Sequence, residues 1–238
     1  MAAQSLVLAC LGLMAGQTPL PSAPTPSDTL YLNRRVLQIP LTFQEARRAE
    51  IKEILLFASP DQGMNWQQVA AAKASDSTIT FNAPSDGVYW LRVASVNRLG
   101  KQEPDNIRVG PPDQKLVIDT LKPLLRFVST ERRGDEVEVA WELREDTPDW
   151  SSFHLEWQLK DDTSSFWTSV PATPAFTGKA RFRPGAGAAL TVRLSLKDLA
   201  GNLSYVTAAV AGNGLVPAGF KADEPLVPPS TFPPGVPP

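Results

Sequence analysis

A shift of 101 positions lays the middle of this 238-residue chain onto itself without a gap. Trp66 falls on Trp167, Val69 on Val170, Asp61 on Asp162, Phe81 on Phe182, Arg92 on Arg193, Asn97 on Asp198 and Gly100 on Gly201. A repeat of this length is too long for a solenoid unit and has the size of a small domain. The expectation is two copies of one domain, residues 30–120 and 121–212.

The pattern inside each copy says what kind of domain it is. In the second, Val137, Val139, Trp141 and Leu143 alternate with Glu136, Glu138, Ala140 and Glu142. Phe153, Leu155, Trp157 and Leu159 alternate with polar neighbours, and so do Leu190, Val192, Leu194 and Leu196. A period of two with one apolar face is a half-buried strand. The shift puts Ile54, Leu56 and Ala58, then Tyr89, Leu91 and Val93, on matching inner faces of the first copy. Turns are expected at Gly134-Asp135, at Asn97-Arg98-Leu99-Gly100 and at Asp198-Leu199-Ala200-Gly201-Asn202, where Asp or Asn bonds nearby backbone and Gly takes positive φ. Many short alternating strands between such turns predict an all-β fold of two tandem β-sandwiches.

One stretch reads Tyr89-Trp90-Leu91-Arg92-Val93-Ala94-Ser95-Val96-Asn97-Arg98-Leu99-Gly100. It resembles the penultimate strand of fibronectin type III domains, a branch of the immunoglobulin-like sandwiches. Asp86-Gly87-Val88 before it is similar to the approach to a tyrosine corner, in which the Tyr hydroxyl caps backbone upstream. The second copy keeps the pattern but has Leu190 in place of the tyrosine. It has Trp141 where the family often places a core tryptophan. A further local likeness is Ser59-Pro60-Asp61-Gln62-Gly63-Met64-Asn65-Trp66, which matches the Asp-box hairpin turn. These likenesses imply a fold and carry no reaction.

The ends read differently. Ser5 to Gly16 is an apolar run too short to span a bilayer, so residues 1–16 are expected to be a secretory signal peptide, although no Lys or Arg precedes Arg34. Val7-Leu8-Ala9-Cys10 resembles a lipobox, but the apolar run continues past Cys10, which argues against lipid attachment there. Residues 17–29 are a Pro/Ser/Thr-rich linker, and 213–238 a Pro-rich tail. Cys10 is the single cysteine, so a chain without its signal forms no disulfide and no thiolate metal site. Secretion, or a periplasmic or cell-surface location, is the expected destination, with no transmembrane segment in the mature chain.

No set of residues forms a reaction centre, so no catalytic, cofactor or metal residue is assigned. His154 is the one histidine and sits on an outward face. Charge is nearly balanced, 23 Lys+Arg against 25 Asp+Glu, which excludes a nucleic-acid partner of the usual basic kind. The informative anomaly is on the outer face of the first copy. If Ile54, Leu56, Tyr89 and Leu91 point inward, then Leu55, Phe57, Trp90 and Arg92 point outward on neighbouring strands. An apolar patch rimmed by arginine marks a contact site, or else it is covered within the chain, by Thr42 to Glu53 or the other domain. Trp150, in an Asp-rich loop, is a candidate sugar-stacking aromatic or a plug for the sandwich end. The expected role is a non-catalytic extracytoplasmic structural or protein-interaction module. The alternative is a carbohydrate-binding accessory protein using Trp90 or Trp150, so the partner is an unknown protein or a surface glycan.

Overall fold

The computed structural model describes residues 8–9, 29–43, 45–160, 162–164, 166–185 and 187–213. The rest of the expected signal segment, linker and tail lies outside the described residues. The chain divides into two compact units, Met1–Thr120 and Leu121–Pro238.

The first unit holds β1 (Leu8–Ala9), β2 (Thr29–Leu32), β3 (Val36–Thr42), one helical turn α1 (Glu45–Arg48), β4 (Ile51–Ser59), β5 (Gln67–Lys73), β6 (Thr78–Asn82), β7 (Gly87–Asn97), β8 (Gln102–Glu103) and β9 (Gln114–Ile118). One sheet pairs β3 with β6, and β1 lies parallel to the end of β3. The other runs β2-β9-β7-β4-β5, with β8 continuing alongside β7. The second unit holds β10 (Leu124–Arg133), β11 (Glu136–Arg144), β12 (Pro148–Leu159), β13 (Thr168–Ser169), β14 (Thr177–Phe182), β15 (Leu190–Asp198) and β16 (Leu203–Val210). Its sheets are β10-β11-β14 and β13-β12-β15-β16. In both units, strands adjacent in sequence leave one sheet for the other and return. This Greek-key order, with a core between two sheets, is the fibronectin type III-like sandwich.

The alternating residues build both cores. Leu37, Ile39, Ile79 and Phe81 of one sheet meet Ile54, Leu56, Tyr89, Leu91 and Leu116 of the other. Val137, Val139, Trp141 and Leu143 meet Phe153, Leu155 and the whole Leu190–Leu196 row. Fully burying each such side chain stabilises by roughly 1.5–3 kcal/mol. Ring pairs join the layers: Phe81 with Tyr89 at 5.5 Å, and Trp141 with Phe153 at 5.6 Å. Trp157 stacks on Phe182 while His154 is exposed, as the alternation requires.

The edge of β3 away from β6 is guarded ahead of the short stretch that β1 pairs. Ala83 N donates to Arg35 O, and Leu41 N to Ser77 O. Odd-numbered residues therefore bond β6, and even-numbered ones turn their backbone groups outward. Pro40, which has no N–H, occupies one of those outward positions, where proline breaks no bond and hinders pairing with another chain.

Candidate functional site

Several acidic and amide side chains hold turns. In the hairpin between β4 and β5, Ser59 Oγ donates to Asp61 Oδ1 at 2.7 Å, and Gly63 N donates to Ser59 Oγ at 2.7 Å. Asn65 N donates to Asp61 Oδ1 at 2.8 Å and its Nδ2 to Oδ2 at 2.7 Å. This is the bond set of an Asp-box. Burial raises the Asp61 carboxyl, but the hydrogen bonds from Asn65 and Ser59 outweigh it and hold the group below its ordinary value. Gly63 has φ +93° and a side chain there would strike the Trp90 ring at 3.2 Å.

The tyrosine corner is present: Tyr89 Oη donates to Ser85 O at 2.9 Å. Beside it, Asp86 accepts Thr120 N, Thr120 Oγ1 and Arg35 Nε, each at 2.8 Å. Burial again raises this carboxyl, and these donors together with the Arg35 charge more than reverse it, so it too is lowered. The equivalent turns after β7 and β15 close alike. Asn97 Oδ1 accepts from Leu99 N and Lys101 N, and Asp198 binds Asn202 N and Nδ2 at 2.8 and 2.7 Å. Leu190 stands buried where the second copy lacks the tyrosine. Buried Glu145 accepts from Thr147 N at 2.9 Å.

On the outer face of the first sandwich, the four candidate residues differ in exposure. Leu55 and Arg92 are buried, 9% and 8% exposed, while Phe57 and Trp90 are half-buried. Both readings of this patch, a contact site or a face covered within the chain, bear on these four residues, and the burial of Leu55 and Arg92 supports cover at those two. Arg92 is the reason. Its Nη1 donates to Ile107 O at 2.7 Å and to Val109 O, drawing the segment before β9 across the sheet. Residues 107–110 thus lie over Arg92. Trp90 is enclosed by other means: Gly63 abuts one part of its ring, and Lys115 Nζ lies 5.0 Å from the ring centroid. Trp150 meets Phe176 edge to face at 5.1 Å and packs, half-buried, against the second core.

The two outer faces of the second sandwich differ. On β10-β11-β14, charges pair across strands: Arg126 with Glu142, Arg181 with Glu138 at 2.5 Å, and Arg183 with Glu136 at 3.6 Å. On β13-β12-β15-β16, His154, Ser195 and Tyr205 form one row, and Glu156, Arg193 and Thr207 the next. Arg193 Nη2 is 2.7 Å from Glu156 Oε2, and its guanidinium lies 4.1 Å from the Trp167 ring centroid. Tyr205 is 68% exposed, with Leu203 exposed on the same face of β16. Sequence reasoning did not find this pair. In β16 both phases carry apolar residues, Leu203 and Tyr205 in one, Val206 and Ala208 in the other, so the outward phase is not marked. A separate open, polar depression is lined by Ser95, Asn97, Lys101, Glu103 and Asp105.

No family model matches the chain, and no curated protein matches it. Among solved structures it is similar to fibronectin(III)-like modules of Clostridium thermocellum CbhA, at 9% identity over 79% of this chain and 88% of that one, TM-score 0.39. It is similar to the FN1–FN3 domains of chicken CNTN1 at 15% identity over 78% and 64%, TM-score 0.36. A DUF3823 family protein from Bacteroides ovatus follows at 12% identity over 75% and 99%, TM-score 0.31. Likeness at this level adds no argument. The fold rests on the strand order, the two cores and the tyrosine corner.

Proposed function

We propose that the chain is a non-catalytic, extracytoplasmic pair of interaction modules that binds a protein partner through an outer sheet face. One observation carries this reading: Tyr205 and Leu203 stand exposed side by side on β16, next to the Arg193–Trp167 stack, while the opposite sheet of that unit is covered by ion pairs. Aromatic and arginine side chains on a rigid face are the usual anchors of protein contacts. In the first unit, Phe57 and Trp90 keep partial exposure and extend the same reading to its outer face. The apolar run Ser5 to Gly16 and the absence of cysteine beyond Cys10 support an exported chain. No helix among the described residues is long and apolar enough to cross a membrane.

The test is site-specific photocrosslinking in cells that make the full chain. A photoreactive residue at position 205 gives a discrete adduct, and one at position 181, on the ion-paired face, gives none. Equal labelling from both positions, or none from position 205, refutes the reading. A saccharide partner is the second reading. It draws on the row His154–Ser195–Tyr205, where a ring lies beside a hydroxyl and an imidazole on one exposed face. Saturation-transfer NMR with polysaccharide fragments, giving contacts at Tyr205 that Tyr205→Ser removes, supports it over a protein partner.

A further inference from the structure

We propose that residues 104–112 are a strap latched by Arg92 over the outer face of the first sandwich, and that the strap opens without unfolding the sandwich. Its two ends are fixed to one strand. Glu103 pairs with Ser95 of β7, and Asp113 N donates to Leu91 O while Asp113 Oδ2 accepts Val93 N at 2.8 Å. Leu91 and Ser95 lie four residues apart, about 13 Å along a strand. Nine residues joining those points have an extended reach of roughly 30 Å, so the segment must leave the sheet as a loop.

The burial pattern on this side of the sheet fits a covering loop. Leu55 and Ala94 face each other across β4 and β7, and both are buried. Neither belongs to the core between the sheets, which takes Ile54, Leu56 and Val93 instead. They form a second apolar row on the outer side, and the segment held at that side is Ile107–Gly110. Ile107 is half-buried, while Arg108, Val109 and Gly110 are exposed.

The fastening is narrow. Within the strap, Val109 N bonds Asn106 O and Arg108 N bonds Asn106 Oδ1. Past Pro104, whose carbonyl accepts from Gln102, its bonds to the sheet come from the Arg92 guanidinium. The latch is also imperfect. Closing it removes a cation from water, and Arg92 Nε is left buried without a hydrogen-bond partner. An unsatisfied buried donor opposes closure, and opening returns the guanidinium to solvent. A segment with few buried groups and one polar anchor belongs to the low-stability end of a fold. The inference holds whether or not this face binds the partner proposed above.

Limited trypsin digestion of the full chain, followed by mass spectrometry, tests it. Arg108 is a cleavage site within the strap, and Lys115, in β9, becomes cleavable when the sheet opens. In the wild type, Arg108 is cut more slowly than in a free peptide of residues 104–112, yet faster than Lys115. Arg92→Met keeps an unbranched apolar stem and removes the guanidinium that forms the latch. It speeds cutting at Arg108 by about tenfold or more while Lys115 changes by less than about threefold. Gly110→Ala is a second variant that leaves the sheet untouched. Gly110 has φ +101° and a side chain there would lie 3.4 Å from Arg92 Nη2, so the substitution strains the strap itself and speeds Arg108 cutting in the same way. Parallel acceleration at both sites in both variants overturns the proposal, because the strap would then open with the whole sandwich. Wild-type cutting at the free-peptide rate, or no response at Arg108 to either variant, also overturns it.

Discussion

Gly178→Ala is a severe test of the second core. Gly178 sits opposite Trp141 across β11 and β14. A Cβ there would lie 2.2 Å from Trp141 Cζ2, with Cε2 at 2.7 Å and Cη2 at 2.8 Å. These are atoms of a fused ring, and the residue is 2% exposed, so no flexible end can swing aside. Either the indole shifts by more than an ångström or the two strands spread. Forced overpacking costs about 1–3 kcal/mol. A displaced indole also lengthens the bond from Trp141 Nε1 to Ala175 O, now 3.1 Å, and leaving a buried donor or acceptor unmet costs about 1–3 kcal/mol. Loosening the contact with Phe153 adds about 0.5–1.5 kcal/mol. With allowance for partial relaxation the expected loss is roughly 3–5 kcal/mol, against a domain stability of about 5–15 kcal/mol. Native-state hydrogen exchange reads each unit separately in the full chain. Amides of β11, β14 and β15 lose protection by about two to three and a half orders of magnitude, and those of β4 and β7 keep theirs. A loss below about 1 kcal/mol would refute the reasoning, since it would mean that the strand pair yields and the missing Cβ is not what lets the tryptophan sit there.

Three other outcomes follow from the same geometry. Tyr89→Phe removes the bond to Ser85 O and lowers the stability of the first unit by about 1–2 kcal/mol in urea unfolding, with no change in the second. Asp86 has a lowered carboxyl in the folded state, so the unfolded chain binds its proton more readily. Its contribution is present above the ordinary carboxylate value and is lost as pH falls through the native one. The stability of the first unit therefore drops as pH falls below the ordinary carboxylate range, by an amount that Asp86→Asn abolishes, and an unchanged pH profile in that variant would contradict the assignment. Pro40→Val restores an outward N–H on the β3 edge. It leaves the unfolding midpoint within about 0.5 kcal/mol of the parent but raises concentration-dependent association in sedimentation, whereas a strictly monomeric variant would show that this edge needs no guard.

The sequence made the sandwiches legible because burial between two sheets imposes a period of two, and each copy repeats it. Val137 to Leu143 and Leu190 to Leu196 carry their phase without ambiguity, since every outward neighbour but Ala140 is polar or charged. The tyrosine corner and the Asp-box were equally readable, because each is a local hydrogen-bond device set by residues at fixed short spacing. Leu55 shows where that reading ends. Its own strand gives its direction correctly, outward, yet it is buried, because burial on that side is decided by a segment some fifty residues further along the chain.

A signal for that segment does exist in the repeat, as a failure of it. The 101-residue shift sets Pro104 on Tyr205, Gly110 on Ala211 and Pro111 on Gly212. In the second copy, Leu203 to Val210 continues as one uninterrupted strand beside β15. In the first, pairing along β7 stops after Glu103 and resumes only at Gln114. Proline supplies no N–H to a ladder, so a chain with Pro104, Pro111 and Pro112 in this interval cannot follow the path its sibling takes. It must lift off the sheet and return, and a lifted loop between two points on β7 lies over whatever that strand turns outward. Position 92 then completes the difference between siblings. Arg193 in the second copy reaches sideways to Glu156 and stays at the surface, with Trp167 against it. Arg92 has Phe57 in the corresponding place on β4, and its guanidinium turns to the carbonyls of the segment that the prolines lift from the ladder. The same sandwich thus carries a covered sheet face in one copy and a surface one in the other, set by residues outside the core.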